Sequence, residues 1–344
     1  MWLKTDNPLW AEKLNEIEHD VYHLSNYVEL DSQRSGGEPL AYYGEHGSAK
    51  VLIPLVINPI PGNPDLRDAG GPYGYGGPAF SANPAYADVS VLLSMYRDAA
   101  RDAGLVTSFL RLHPLLSEWS NQLDAQDIAI SSQGQTVDID LQLSTEELEA
   151  ALRKNHRRNI KKLHTSGYEL RIGHWDDYAK FQSIYFDTMK RVDASENYFF
   201  DKKYFAALHN DLSDHIHICT VLDPSGEIAS GGLFFECNGI VQYHLGATHE
   251  KYLREAPSKL MFKGMQDYFK DLGAKHMNLG SGVGGKEDYL FNFKLGFGTS
   301  TLSFDSLNII HNHSALEALV TKMTDASDSQ VNADTNFFPP YRAT

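Results

Sequence analysis

Two nine-residue stretches decide how this chain is read: Tyr96-Arg97-Asp98-Ala99-Ala100-Arg101-Asp102-Ala103-Gly104 and Met265-Gln266-Asp267-Tyr268-Phe269-Lys270-Asp271-Leu272-Gly273. Two aspartates, a basic residue and the closing glycine fall in register between them. Upstream of the first, Val89, Leu92, Leu93, Tyr96 and Ala100 share one apolar face, which predicts a helix over 86–103. Gly104 stands where a left-handed C-cap is wanted. Residues 258–272 predict a second helix, closed by Gly273. A strand follows each glycine, at 105–112 and at 275–279.

Working outward, residues 39–43 and 50–57 flank the turn Glu45-His46-Gly47-Ser48 and read as a hairpin. In the second half, 215–222 reads as a strand, Asp223-Pro224-Ser225-Gly226 as a turn, and 228–235 with 240–247 as a hairpin across Cys237-Asn238-Gly239. The shared order of hairpin, loop, helix, glycine and strand points to a duplicated α/β unit. Residues 144–166 read as one long polar helix with a capping start at Ser144 or Thr145 and acids in its first turn. This places a boundary near residue 143, giving an N-terminal domain 1–143 and a C-terminal domain 144–344. Residues 58–84 read as a Gly/Pro-rich loop, and 324–336 as a polar, mobile stretch.

The 344 residues are 42% hydrophobic and carry a formal net charge of −15. That balance disfavours a general nucleic-acid binder. No apolar run is long enough to cross a bilayer and residues 1–20 lack a signal-peptide core, so a soluble, cytoplasmic protein is expected. Cys219 and Cys237 are too few for a disulfide framework. The histidine pairs His215/His217 and His311/His313 lack carboxylates or thiols at ligand spacing, so no metal is expected.

Against this acidic background Arg153, Lys154, Arg157, Arg158, Lys161 and Lys162 form a basic run, which is either a solvated helix face or a site for phosphate, pyrophosphate or an RNA backbone. The helix opening at Pro257-Ser258-Lys259 offers a place for a pyrophosphate, which makes Ser258 and Lys259 candidate donor-binding residues. The run Gly70-Gly71-Pro72-Tyr73-Gly74-Tyr75-Gly76-Gly77-Pro78 does not fit a dinucleotide fingerprint, and it reads as a structural or substrate-contacting loop. The stretch 280–286 is a broken P-loop, because Glu287 follows Lys286. Glu236 and His244 are the candidate general bases on the second hairpin.

Taken together, Tyr73–Pro78, Leu152–Lys161, Gln242–Ala247, Asn292–Phe297 and Phe338–Arg342 resemble the FemAB-like (BioF2-like acetyltransferase) branch of the GNAT superfamily. The resemblance implies an α/β mixed-sheet fold of two tandem GNAT-like domains facing each other across a cleft. It implies an acyltransferase that moves an acyl group from acyl-CoA to an amine of a sugar, nucleotide-sugar or cell-envelope precursor. Aminoacyl-tRNA-dependent transfer of the Fem type is the alternative, and a non-catalytic binding module the second alternative. By position, Phe293 and Lys294 match the Phe-Lys pair at the acyl-donor end, with Lys294 as the charge stabiliser. Arg157 or Arg158 match the residue meeting an acceptor diphosphate, and Tyr75 and Tyr243, with Tyr73, match acceptor contacts. The expected partner is a small-molecule or nucleotide-linked acceptor; tRNA is less favoured.

Overall fold

The computed structural model describes residues 1–123, 127–326 and 337–343. Their first stretch forms β1 (Trp2–Lys4), α1 (Leu9–Leu14), α2 (Ser25–Ser35), β2 (Glu38–His46), β3 (Ala49–Ile60), β4 (Asn63–Gly70), β5 (Ala79–Phe80), α3 (Tyr86–Asp102) and β6 (Leu105–Arg111). Then come β7 (Ile128–Asp140), α4 (Thr145–Ala151), α5 (Lys154–Thr165), β8 (Glu169–Ile172), α6 (Tyr178–Arg191), α7 (Lys202–Asp211), β9 (Ile216–Leu222), β10 (Ile228–Cys237) and β11 (Ile240–Thr248). The chain continues through α8 (Ser258–Asp271), β12 (His276–Gly280), α9 (Tyr289–Lys294), β13 (Ser300–Ile310) and α10 (His313–Ala326). The stretch expected to be mobile, 324–336, lies outside the described residues beyond Ala326.

Two compact units emerge, Met1–Gln133 with Ser303–Thr344, and Gly134–Leu302. This differs from the expected division at 143, chiefly because the C-terminal stretch returns to the first unit. There β13 pairs antiparallel with β6, from Ser306↔Arg111 to Ile310↔Thr107. Arg342 then grips the Asp68 carboxylate through Nε and Nη2, both at 2.7 Å. Nothing in the pattern of residues 303–344 reveals this pairing, because strand partners are set by tertiary contacts.

The duplicated module is present, shifted by one strand from the expected one. In the first unit the antiparallel pair β3–β4 is followed by α3 and by β6, which lies parallel to β4. In the second, β10–β11 is followed by α8 and by β12, parallel to β11. β4 was hidden in the supposed loop 58–84, because Asn63, Pro64 and Asp65 at its start suppress the strand signal. Gly104 (φ 79°) and Gly273 (φ 85°) close the two helices in the left-handed conformation that side chains resist. Each module completes its sheet with an exchanged strand. β7 follows β6 in the chain but its end pairs with β12, while β13 follows β12 and pairs with β6.

In the first unit α3 buries Val89, Leu92, Leu93 and Tyr96 against Ile53, Leu55 and Leu110. α1 and α2 cover the other face, with Trp10, Leu14 and Val28 on Ala41, Tyr43 and Leu52. In the second unit α8 turns Leu260, Met261, Phe262, Met265 and Phe269 into a core with Val137, Ile139, Met277 and Leu279. Each such fully buried side chain contributes roughly 1.5–3 kcal/mol of transfer free energy. The expected helix over 144–166 is two helices. Leu152 and Arg153 between them have extended ψ values of 123° and 134°. No glycine or proline marks this break. It is held by Arg157, whose Nη2 donates to the Glu149 and Leu152 carbonyls at the end of α4.

Candidate active site

In the second unit β11 and β12 pair from Ile240↔His276 to Gln242↔Asn278 and then part. From Tyr243 onward the edge of β11 that faced β12 has no strand partner among the described residues, although β11 runs to Thr248. An opening between two parallel strands exposes unpaired backbone groups and admits an extended ligand. At its base Asn278 is fully buried, and its Nδ2 has no hydrogen-bond partner among the described residues. Its Oδ1 accepts from the Gly280 amide at 2.8 Å. A buried unpaired donor costs about 1–3 kcal/mol. The sequence reading missed Asn278, whose only signal is one amide in an apolar strand.

Lys294, the last residue of α9, is 6% exposed. Its Nζ donates to the Ser281 carbonyl at 2.7 Å and lies 5.6 Å from the centre of the Tyr243 ring. Burial pushes its pKa down to about 8, with Asp288 pulling the other way. The ammonium is therefore mostly protonated at neutral pH and keeps hydrogens free for an acceptor. Asp288 sets this geometry by accepting from the amides of Val283 and Phe291, both at 2.9 Å, which fixes the start of α9. Phe293 packs among His156, Phe262 and Phe297 at 5.3–5.9 Å. Tyr243 faces the same side, 4.8 Å from Phe262, and burial raises its hydroxyl pKa.

His244, the next residue on the strand, faces the opposite side. Its Nε2 meets the Tyr204 hydroxyl at 2.9 Å, and its ring lies 4.6 Å from Phe235. Strand alternation therefore separates it from Lys294. Glu236 is likewise occupied, accepting from the Gly239 amide in its own turn.

The basic run resolves into different roles. Arg157 is taken up in closing α4, as described above. Arg158 and Arg153 lie within Coulomb reach of Lys259 in the first turn of α8; with burial the larger cause, their charges lower its pKa. Arg153 donates to the Asn292 carbonyl at 3.0 Å. Among the described residues none of these three cations has an anionic partner. Backbone donors contribute less here than expected. The Lys259 and Leu260 amides already bond the Ala256 and Pro257 carbonyls, at 3.1 and 2.9 Å. Ser258 is half-buried, and no side-chain capping bond forms at this terminus. His156, inside the basic run, is buried against Gly296 and neutral at pH 7. Burial, then Lys259 and Arg153, push its pKa down to about 4.

Tyr73 and Tyr75 belong to the first unit and are built into its loop. The Tyr73 amide donates to Asp31 at 2.8 Å, and its ring lies 5.3 Å from the Arg34 guanidinium. Tyr75 packs against Phe304, Tyr22 and His113. Among the histidine pairs, His215 meets the Glu236 carbonyl, His217 the Tyr268 hydroxyl, His311 Ser108, and His313 Asp127.

Residues 150–290 match the family model of the acetyltransferase (GNAT) domain. FemX shares the fold, with a TM-score of 0.70 at 13% identity over 92% of this chain and 99% of that one. The C-terminal domain (DUF2156) of a putative lysylphosphatidylglycerol synthetase from Agrobacterium fabrum follows, with a TM-score of 0.57 at 14% identity over 92% and 94%. L-PGS from Bacillus licheniformis has a TM-score of 0.56 at 15% identity over 93% and 98%. No curated protein matches in sequence. Among the described residues no helix is long and apolar enough to cross a membrane. The second unit thus carries a GNAT acyltransferase domain, and the chain has the fold of the Fem-type branch of the GNAT superfamily.

Proposed function

We propose that the second unit transfers an acyl group from acyl-CoA to a primary amine of a sugar, nucleotide-sugar or envelope precursor. The carrying observation is the unneutralised cation cluster of Arg153, Arg158 and Lys259 at the start of α8, a match in charge for a pyrophosphate. The acyl arm then runs into the opening between β11 and β12. The amine nitrogen attacks the thioester carbonyl and the C–S bond breaks. The proton lost by the amine nitrogen ends on the departing coenzyme A sulfur, which leaves as the thiol. Lys294 stabilises the charge that develops on the carbonyl oxygen, a contribution of typically about 2.7–4 kcal/mol when such a donor is preorganised. Phe293 and Tyr243 wall the site and exclude water, which strengthens that interaction.

A second reading keeps the chemistry and changes the donor to aminoacyl-tRNA. It is favoured by the exposed cations Lys154, Lys161 and Lys162 that extend the cluster along α5. The likeness in fold to the C-terminal domain of a putative lysylphosphatidylglycerol synthetase supports it too.

A thermal-shift titration with acetyl-CoA, longer acyl-CoAs and free coenzyme A separates the two. Donor at about 100 times its Kd stabilises the fold by roughly 2.7 kcal/mol. The first reading expects a shift that Lys259→Glu abolishes. No shift with any coenzyme A species, together with steeply salt-dependent binding of aminoacyl-tRNA, replaces it with the second.

A further inference from the structure

The first unit contains a cavity of about 420 Å³ beneath its C-terminal segment. That volume lies within the range of about 300–1,000 Å³ usual for small-molecule sites. Leu110 packs in the α3 core, so strand alternation turns its neighbours Phe109 and Arg111 to the other face, where both line the cavity.

The charges in the wall do not cancel. Asp68 is nearly fully buried, and besides both Arg342 bonds its carboxylate accepts from the Tyr341 hydroxyl at 3.0 Å. That pair is internally neutral. Arg111 makes no hydrogen bond or ion pair among the described residues. Asp31, within Coulomb reach of Arg111, is already committed to Arg34 at 3.0 Å and to the Tyr73 amide. The cavity therefore holds one uncommitted guanidinium.

Its remaining polar lining is carboxamide. Gln133 Nε2 donates to the Ser306 hydroxyl at 3.1 Å, which leaves its Oε1 with no partner among the described residues. Asn308 is oriented by Ser131 and Ser306, at 2.9 and 3.2 Å. Phe337, 47% exposed, and Phe338 supply flat apolar surface. Carboxamides held in place suit ring hydroxyls, and an aromatic face suits the C–H face of a pyranose. A single guanidinium fork matches one carboxylate, whereas a diphosphate carries more charge than one arginine offsets.

We propose that this cavity is a binding site for a carboxylated pyranose, a uronate residue. Its carboxylate sits on Arg111, its hydroxyls meet Gln133 and Asn308, and its ring lies against Phe337 and Phe338. The site belongs to the first unit alone, and its test needs no turnover.

The test is saturation-transfer NMR and calorimetry on the full chain without donor. The probes are galacturonate, glucuronate, galacturonate methyl ester, galactose and UDP-N-acetylglucosamine. A uronate is expected to bind, while the methyl ester and galactose bind at least about tenfold more weakly, as loss of a charged hydrogen bond requires. Arg111→Gln should abolish the preference, and Phe337→Ala should weaken every sugar alike. Arg111 is exposed, so its variant should fold, and its unchanged melting temperature is the control. Equal binding of ester and acid, binding of the nucleotide sugar alone, an unchanged Arg111→Gln, or no binding by any probe would each overturn the proposal.

Discussion

In the first unit β4 and β6 stay paired to Gly70 and Phe109, and the Gly71 amide adds a bond to the Phe109 carbonyl at 3.1 Å. In the second, the equivalent strands β11 and β12 part after Gln242 and Asn278. The helix between each strand pair differs in the same sense. α3 carries Asp88 in its first turn, 3.0 Å from His46, whereas α8 carries Lys259 beside Arg153 and Arg158. An acid at a helix start neutralises the dipole and repels an anion, and a cluster of bases does the reverse. One module is thus closed and charge-balanced, and its copy is open and electropositive. The copies keep the helix, the glycine cap and the parallel strand, which build the core. They differ at the strand ends and the first helical turn, where a donor would be held.

The largest expected effect tests this asymmetry at Lys294. Lys294→Met should lower kcat by about 10²–10³-fold, the usual cost of one preorganised charge-stabilising donor. It should also raise the melting temperature at pH 7, because it removes a buried ammonium. Tyr96→Phe in the first unit, which deletes the 2.7 Å bond to Ser108, should cost about 0.5–1.5 kcal/mol of stability and leave kcat unchanged. Steady-state kinetics with parallel melting curves decide; equal kcat losses in the two variants would erase the distinction.

Charge at the helix starts comes next. Lys259→Glu should raise the KM for the donor by about tenfold or more, since it replaces an attraction with a repulsion. Asp88→Lys should leave donor KM where it was. A response to Asp88→Lys of the same size would mean that the first unit also holds a donor.

A smaller and graded effect is pH. Lys294 has a folded pKa of about 8, so its charge is present below that value and lost as pH rises through it. Activity should fall above about pH 8, up to tenfold per unit. The linkage in stability has the opposite sign. Because burial lowers this pKa, the unfolded chain binds more protons between about 8 and the ordinary lysine range, and Lys294 contributes stability that rises with pH over that window. Lys294→Arg keeps its charge and should flatten the activity profile; a profile that still falls above pH 8 assigns the titration to another group.

How far the sequence carries the account depends on what each residue's neighbours are. The helix at 86–102, the helix at 258–271 and their glycine caps were legible because periodicity and φ > 0 are local properties. The pairing of Phe293 with Lys294 at a donor end followed from the family resemblance. What stayed hidden is non-local. Arg157 and Arg158 are adjacent and chemically identical, yet one closes α4 while the other stands beside Lys259. His244 follows Tyr243 but faces the other side of the sheet. The return of 303–344 to the first unit and the unpaired amide of Asn278 exist only once strands are paired.

The most direct test of the asymmetry is amide hydrogen exchange across the whole chain, with and without acetyl-CoA. The account predicts protection at residues 243–248 and at 256–262, with residues 67–71 and 105–111 unchanged. Protection of the first unit's strands with none at 243–248 would contradict it.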